Sequence, residues 1–116
     1  MKKILIARLS SIGYALAGIR SLFKSEPNVW IHLMATIIVI AIGIFRSLNK
    51  IEWCFLIVAI SLVWITEALN TAIEKLSNKV SPQFHPLIKQ VKDISAGAVL
   101  LAALFAIIIG CMVFFF

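Results

Sequence analysis

Acidic side chains are scarce in this chain. Five Asp and Glu stand against eleven Lys and Arg in 116 residues, a formal net charge of +6. Charged residues of both signs make up 14% and hydrophobic residues 62%, far above the roughly 45–50% apolar share of a soluble domain. That balance excludes water as the solvent for most of the surface and predicts an integral membrane protein. Cysteine is nearly absent as well. Cys54 and Cys111 lie in apolar runs without CxxC or Cys/His spacing, which leaves a zinc site or disulfide framework unsupported; they read as small buried hydrophobes.

Glycine is sparse and badly placed for phosphate loops. Gly13, Gly18, Gly43, Gly97 and Gly110 compose neither GxxxxGK[ST] nor GxGxxG, and no GxSxG elbow occurs. Residues 1–23 lack a small-residue cleavage pattern closing an apolar run, so no cleavable signal is expected. Internal repeats and low-complexity linkers are also missing, and the whole of 1–116 reads as one domain.

What the chain does have is long apolar runs. Three are expected to cross the membrane, over about residues 29–45, 53–69 and 95–116, a crossing needing about 20 apolar residues. The helical pattern of the second continues to about Leu76. Ahead of them, Leu5, Leu9, Ile12, Leu16, Ile19 and Phe23 recur at alternating spacings of four and three, with Arg8, Ser10, Ser21 and Lys24 off that stripe. This predicts an amphipathic helix over about 4–24, suited to the membrane interface or to packing against other helices. The fold class is therefore all-α: a surface helix followed by three transmembrane helices.

The positive charge is distributed around the spans. Lys2, Lys3, Arg8, Arg20 and Lys24 precede the first, and Lys75, Lys79, Lys89 and Lys92 separate the second from the third. Only Arg46 and Lys50 stand between the first two. With three spans, both basic regions fall on one side, which the positive-inside rule makes cytoplasmic. Nucleic acid is not the expected partner. In "SNKVSPQFHPLIKQVKD", Pro82 and Pro86 break the helix, which is expected to resume near Leu87, with Asp93 or Ser95 capping a further segment.

The rare acids gather. Glu67, Asn70 and Glu74, at offsets of three and seven, share one helix face, the two glutamates about 10 Å apart along the axis. Ionisable groups at membrane depth usually face a bundle interior, which makes them functional candidates; the plainer reading is a helix emerging into water. By the charge-derived topology Glu26, Glu67, Glu74 and Asp93 lie on one side and Glu52 on the other. Clustered carboxylates repel unless a cation intervenes, and magnesium commonly takes one or two carboxylates plus substrate phosphates. Lys89 and Lys92 offer positive charge to phosphates. Gln83 and His85 add hydrogen-bonding groups in the same loop, where a histidine is otherwise simply solvated.

"EALNTAIE" at 67–74, "KD" at 92–93, "AGAVLLAA" at 96–103 and "GYALAGIRSLFKSEPN" at 13–28 resemble the prokaryotic diacylglycerol kinase and undecaprenol kinase family over nearly the whole chain. The resemblance implies a small lipid kinase in the bacterial inner membrane, a homotrimeric helical bundle with active sites shared between subunits. It implies Glu67 as the catalytic base on the lipid hydroxyl and Glu26 and Glu74 as ligands of Mg2+ against the ATP phosphates. Asn70 would support the site, and Tyr14, Gln83, His85, Lys92 and Asp93 would contact the nucleotide. The Glu26, Asn28, His32 pattern resembles the undecaprenol kinase branch, whereas residues 81–93 resemble the diacylglycerol kinase branch, the one expected here. A proton-coupled transporter using Glu67 is the rival of another class, although such a site belongs near the bilayer midplane. An inactive structural subunit would leave the acid cluster idle.

Overall fold

A computed structural model describes residues 1–116 as four helices: α1 (Lys2–Ser25), α2 (Asn28–Phe45), α3 (Lys50–Val80) and α4 (Pro86–Phe115). The chain is all-α. Each boundary has a local cause. Glu26 leaves the helical region at φ −120°, ψ 108°, as the residue before Pro27 must. At the other end of α2, Ser47 takes the left-handed region at φ 52°. The Ser47 and Leu48 amides then bond the carbonyls of Ile44 and Gly43, closing a Schellman motif. Asn49 opens α3 with a capping box: its Oδ1 accepts from the Glu52 amide, and the Glu52 carboxylate accepts from the Asn49 amide. Glu52 is thus occupied at the end of α3 remote from the other acids.

The turn between α3 and α4 corrects one expectation. Helix α4 runs unbroken from Pro86, so neither Asp93 nor Ser95 begins a further segment. His85 is the cap: its Nδ1 accepts from the Leu87 amide at 3.1 Å, and Pro86 occupies the first turn, where its missing N–H is harmless. Asp93 and Ser95 are interior helical residues, Asp93 paired with Lys89 on its own helix and Ser95 reaching across to α3.

Packing within the chain is thin. Nine of 116 residues are buried, so the apolar faces of the helices need lipid or other helices to cover them. Helices α2, α3 and α4 are each long and apolar enough to span a membrane. The protein is an all-α membrane protein. Cys54 and Cys111 are exposed rather than buried, because so little of the apolar surface packs within the chain. Helices α3 and α4 pack along each other. Arg46 Nη2 donates to the Phe114 carbonyl at 2.8 Å, tying the end of α2 to the C-terminal end of α4, where a cation is favoured.

Helix α1 stands apart. Residues 1–21 are all exposed, and only Leu22 and Phe23 at its last turn pack against the bundle. The apolar stripe over Leu5–Ile19 therefore has no partner in this chain. Extents of 47 × 47 × 21 Å describe the result, a flat molecule. Phe23 forms the joint, stacked on Trp64 at 5.7 Å and edge-on to Trp30 at 5.5 Å.

Candidate active site

Helix lengths set the depth of each polar residue. Glu67 lies 17 residues into α3, about 25 Å from its start and just inside the far edge of a roughly 30 Å hydrocarbon core. Glu74 follows about 10 Å further on, beyond that edge. Glu26 precedes α2 at the same end, and His32 lies one turn into that helix. The arrangement is a polar layer where hydrocarbon gives way to water.

Glu67 is 4% exposed, the most buried charged residue of the chain. Its Oε2 lies 3.2 Å from His32 Nε2, a pair that joins α3 to α2. Glu26 is half-buried between α1 and α2. Desolvation, then the negative charges of Glu74 and Glu67, hold its carboxyl above the usual carboxylate range, and Lys75 pulls it partly back. The charges of Glu74 and Glu67 therefore both act on Glu26. Asp93 does not join them; it is exposed and takes the Lys89 ammonium one turn away on α4.

Asn70 links the layer to α4. Ser95 Oγ lies 2.6 Å from Asn70 Oδ1, and Asn70 Nδ2 lies 3.5 Å from Glu74 Oε1. On the same face of α3, Thr71 Oγ1 is buried without any hydrogen-bond partner, an orphan polar atom on the turn joining Glu67 to Glu74. No three His, Cys, Asp or Glu side chains converge as a complete metal cage. Glu26, raised first by desolvation and then by the charge of Glu74, nevertheless forms with Glu74 a fitting pair of oxygen donors for a hard cation that draws further oxygens from a substrate.

One turn beyond Glu74, a second polar cluster begins. Lys92 Nζ donates to Asn78 Oδ1, bridging α4 to α3. A cleft of about 280 Å³ at this corner is lined by Asn78, Gln83, His85, Lys89 and Lys92 among others. It gathers three of the five expected nucleotide contacts with a second lysine. Tyr14 and Asp93 do not line it, and Tyr14 stands 77% exposed on the α1 arm. A larger slot of about 490 Å³ runs between α2, α3 and α4, with His32 among apolar lining residues such as Val39, Ala59, Val63 and Ala106.

Three of these residues escaped the sequence reading of the site. Asn78 continues the Glu67, Asn70, Glu74 stripe at an offset of eleven from Glu67, a signal that was present. His32 was visible only as part of the Glu26, Asn28, His32 spacing. Nothing in the sequence singled out Ser95 as a partner of Asn70.

Fold and site together define a helical membrane protein with a carboxylate-rich site at the membrane–water boundary. The prokaryotic diacylglycerol kinase model matches residues 13–114, and the chain belongs to that family. It is similar to the undecaprenol kinase of Bacillus subtilis, at 36% identity over 90% of this chain and 85% of that protein. It is similar also to the diacylglycerol kinase of Synechocystis, at 40% over 88% of this chain and 59% of that protein. The diacylglycerol kinase of Escherichia coli K12 is 29% identical over 90% and 85% of the two chains. The protein is a lipid kinase of the diacylglycerol and undecaprenol kinase type.

Proposed function

We propose that the protein transfers the γ-phosphoryl group of ATP to the hydroxyl of diacylglycerol, giving phosphatidic acid, with Mg2+ as the metal. The observation that carries this reading is the buried Glu67 carboxylate at the hydrocarbon edge, electrostatically coupled to Glu26. A lipid alcohol keeps its tails in the bilayer and presents its hydroxyl at that depth. The apolar slot below His32 suits a hydrocarbon neighbour. Glu67 accepts the hydroxyl proton as the lipid oxygen forms its bond to the γ-phosphorus. The bond from that phosphorus to the bridging oxygen breaks, and ADP leaves.

Glu26 and Glu74 would hold the magnesium ion, which when bound offsets charge on the transferring phosphoryl group. Asn70 orients Glu74. Lys92, with Gln83 and His85 in the same cleft, binds the nucleotide, its ammonium facing phosphate. Asp93 and Tyr14 complete the nucleotide contacts. Because Tyr14 stands 77% exposed on α1, away from the cleft, it is supplied to a site by a neighbouring copy. We take the assembly to be a homotrimer with shared sites. Its exposed apolar faces support this, and the lysine-rich ends support placing residues 1–28 and 75–93 on the cytoplasmic side of the bacterial inner membrane.

Undecaprenol is the second reading. The Glu26, Asn28, His32 spacing and the likeness to the Bacillus subtilis undecaprenol kinase favour it, while residues 81–93 and the likeness to the Synechocystis diacylglycerol kinase favour diacylglycerol. Purified protein in lipid, with magnesium and labelled ATP, is given the two alcohols in competition. Phosphatidic acid as the main product is the expected result. Undecaprenyl phosphate as the main product would reverse the substrate assignment, and transfer to neither would end it.

A further inference from the structure

We propose that His32 is a positioning residue for Glu67, its imidazole N–H holding one carboxylate oxygen so that the other is presented to the lipid hydroxyl. The inference rests on the reading of Glu67 as the base. Glu67's side chain is 5% exposed and His32's 22%. A carboxylate so far from water needs a donor, and its one side-chain partner is His32 Nε2, at 3.2 Å from Oε2.

The need for a positioning group follows from the glutamate itself. Its last torsion, between an sp³ carbon and the planar carboxylate, is broad and roughly twofold, so an unheld carboxylate presents either oxygen over a wide range of angles. A hydrogen bond to Oε2 removes that freedom and leaves Oε1 for the substrate. Small errors of placement at a reacting group are expensive in rate.

His32 is itself held. Its ring lies 6.4 Å from that of Trp64, one turn before Glu67 on α3. Trp64 Nε1 donates to Thr36 Oγ1 at 2.9 Å, and that hydroxyl donates to the His32 carbonyl at 2.7 Å. Phe23 stacks on the same indole at 5.7 Å. The base and its histidine thus sit on a buttress joining α2, α3 and the end of α1. Glu26 and Glu74 take no hydrogen bond from His32, so the pair is separable from the carboxylates assigned to the metal.

The test compares His32→Leu, His32→Gln and Glu67→Gln in the lipid-kinase assay. His32→Leu should lower kcat about 10- to 100-fold with KM for ATP and lipid unchanged within about twofold. His32→Gln, whose amide N–H reaches towards the position of Nε2, should recover most of that loss. A second measurement does not need the His32 variants to fold. The chain has two histidines, so ¹⁵N-labelled imidazoles, assigned with His85→Gln, report on His32 directly. Its Nε2 resonance should carry a hydrogen-bonded proton and move in Glu67→Gln. An Nε2 signal indifferent to Glu67→Gln overturns the proposal, as does His32→Leu with a wild-type kcat beside an inactive Glu67→Gln. A fully active Glu67→Gln overturns instead the base assignment on which the proposal stands.

Discussion

Ser95 Oγ on α4 lies 2.6 Å from Asn70 Oδ1 on α3 and 3.0 Å from the Lys92 carbonyl of its own helix, and the other end of the Asn70 amide faces Glu74. An amide has a carbonyl end that accepts and an NH2 end that donates. With the carbonyl facing Ser95, the NH2 group is turned toward the carboxylate. Ser95→Ala leaves the carbonyl half-satisfied in a part-buried site, at about 1–3 kcal/mol. Lower thermal stability together with a several-fold drop in activity is expected. Melting and turnover measured on the same preparation check it, and loss of neither would remove Ser95 from the site.

Glu67→Gln keeps the size of the side chain and an acceptor for His32 while removing the base. Phosphoryl transfer should fall by about 10²–10⁴-fold, the range of general-base contributions. Helical content and assembly in detergent should match wild type. Full turnover in this variant would show that the lipid hydroxyl loses its proton elsewhere.

The polar face of α3 was legible because a period of 3.6 residues aligns Glu67, Asn70 and Glu74 whatever surrounds the helix. Asn78 belongs to that face but lies beyond Leu76, where the apolar pattern ends. The His32–Glu67 pair was not readable, since it spans 35 residues and depends on how α2 meets α3. His85 as a helix cap was hidden for a different reason: Ser, Thr, Asp and Asn dominate that position, which by residue type alone favours Asp93 or Ser95. The amphipathic pattern of α1 was plain, yet periodicity names a face without naming what covers it. In this chain nothing does.

The lower corner of the bundle offers a test of stability apart from chemistry. A Cβ on Gly43 would come within 2.7 Å of the Trp53 ring, so Gly43→Ala must displace that indole, at about 1–3 kcal/mol. Ser47 nearby holds φ 52°, a conformation glycine adopts freely, and Ser47→Gly should stabilise by roughly 0.5–1 kcal/mol. Denaturation in detergent should separate the two variants in opposite directions from wild type. Identical midpoints would mean that this corner relaxes freely.

Lys92 and Asn78 are expected to act on the nucleotide as a unit. Lys92→Met removes the ammonium from the cleft and should raise KM for ATP about tenfold or more, with a smaller change in KM for lipid. Asn78→Ala frees the ammonium from its partner and should produce a weaker change of the same kind. The two together should cost less than the product of their separate effects, because residues in one hydrogen-bonded contact are not independent. Effects confined to the lipid KM would move the nucleotide away from this cleft.

Glu26 provides the pH test. Its folded-state carboxyl is raised, first by desolvation and then by Glu74 and Glu67, so folding favours the protonated form. The stabilisation is fully present below the unfolded value and is lost as pH rises through the folded one. At neutral pH the metal-free protein therefore carries an unfavourable negative charge at Glu26. Glu26→Gln should raise the melting temperature in EDTA at neutral pH, with the gain shrinking as the medium is acidified. The same substitution should abolish activity and weaken magnesium dependence, since a ligand has gone. Magnesium should stabilise wild type more than the variant, and its half-saturating concentration in wild type should climb on acidification from a pH above the ordinary carboxylate range of about 4.3. A variant that melts lower in EDTA, or that keeps the wild-type magnesium titration, would remove Glu26 from the metal site.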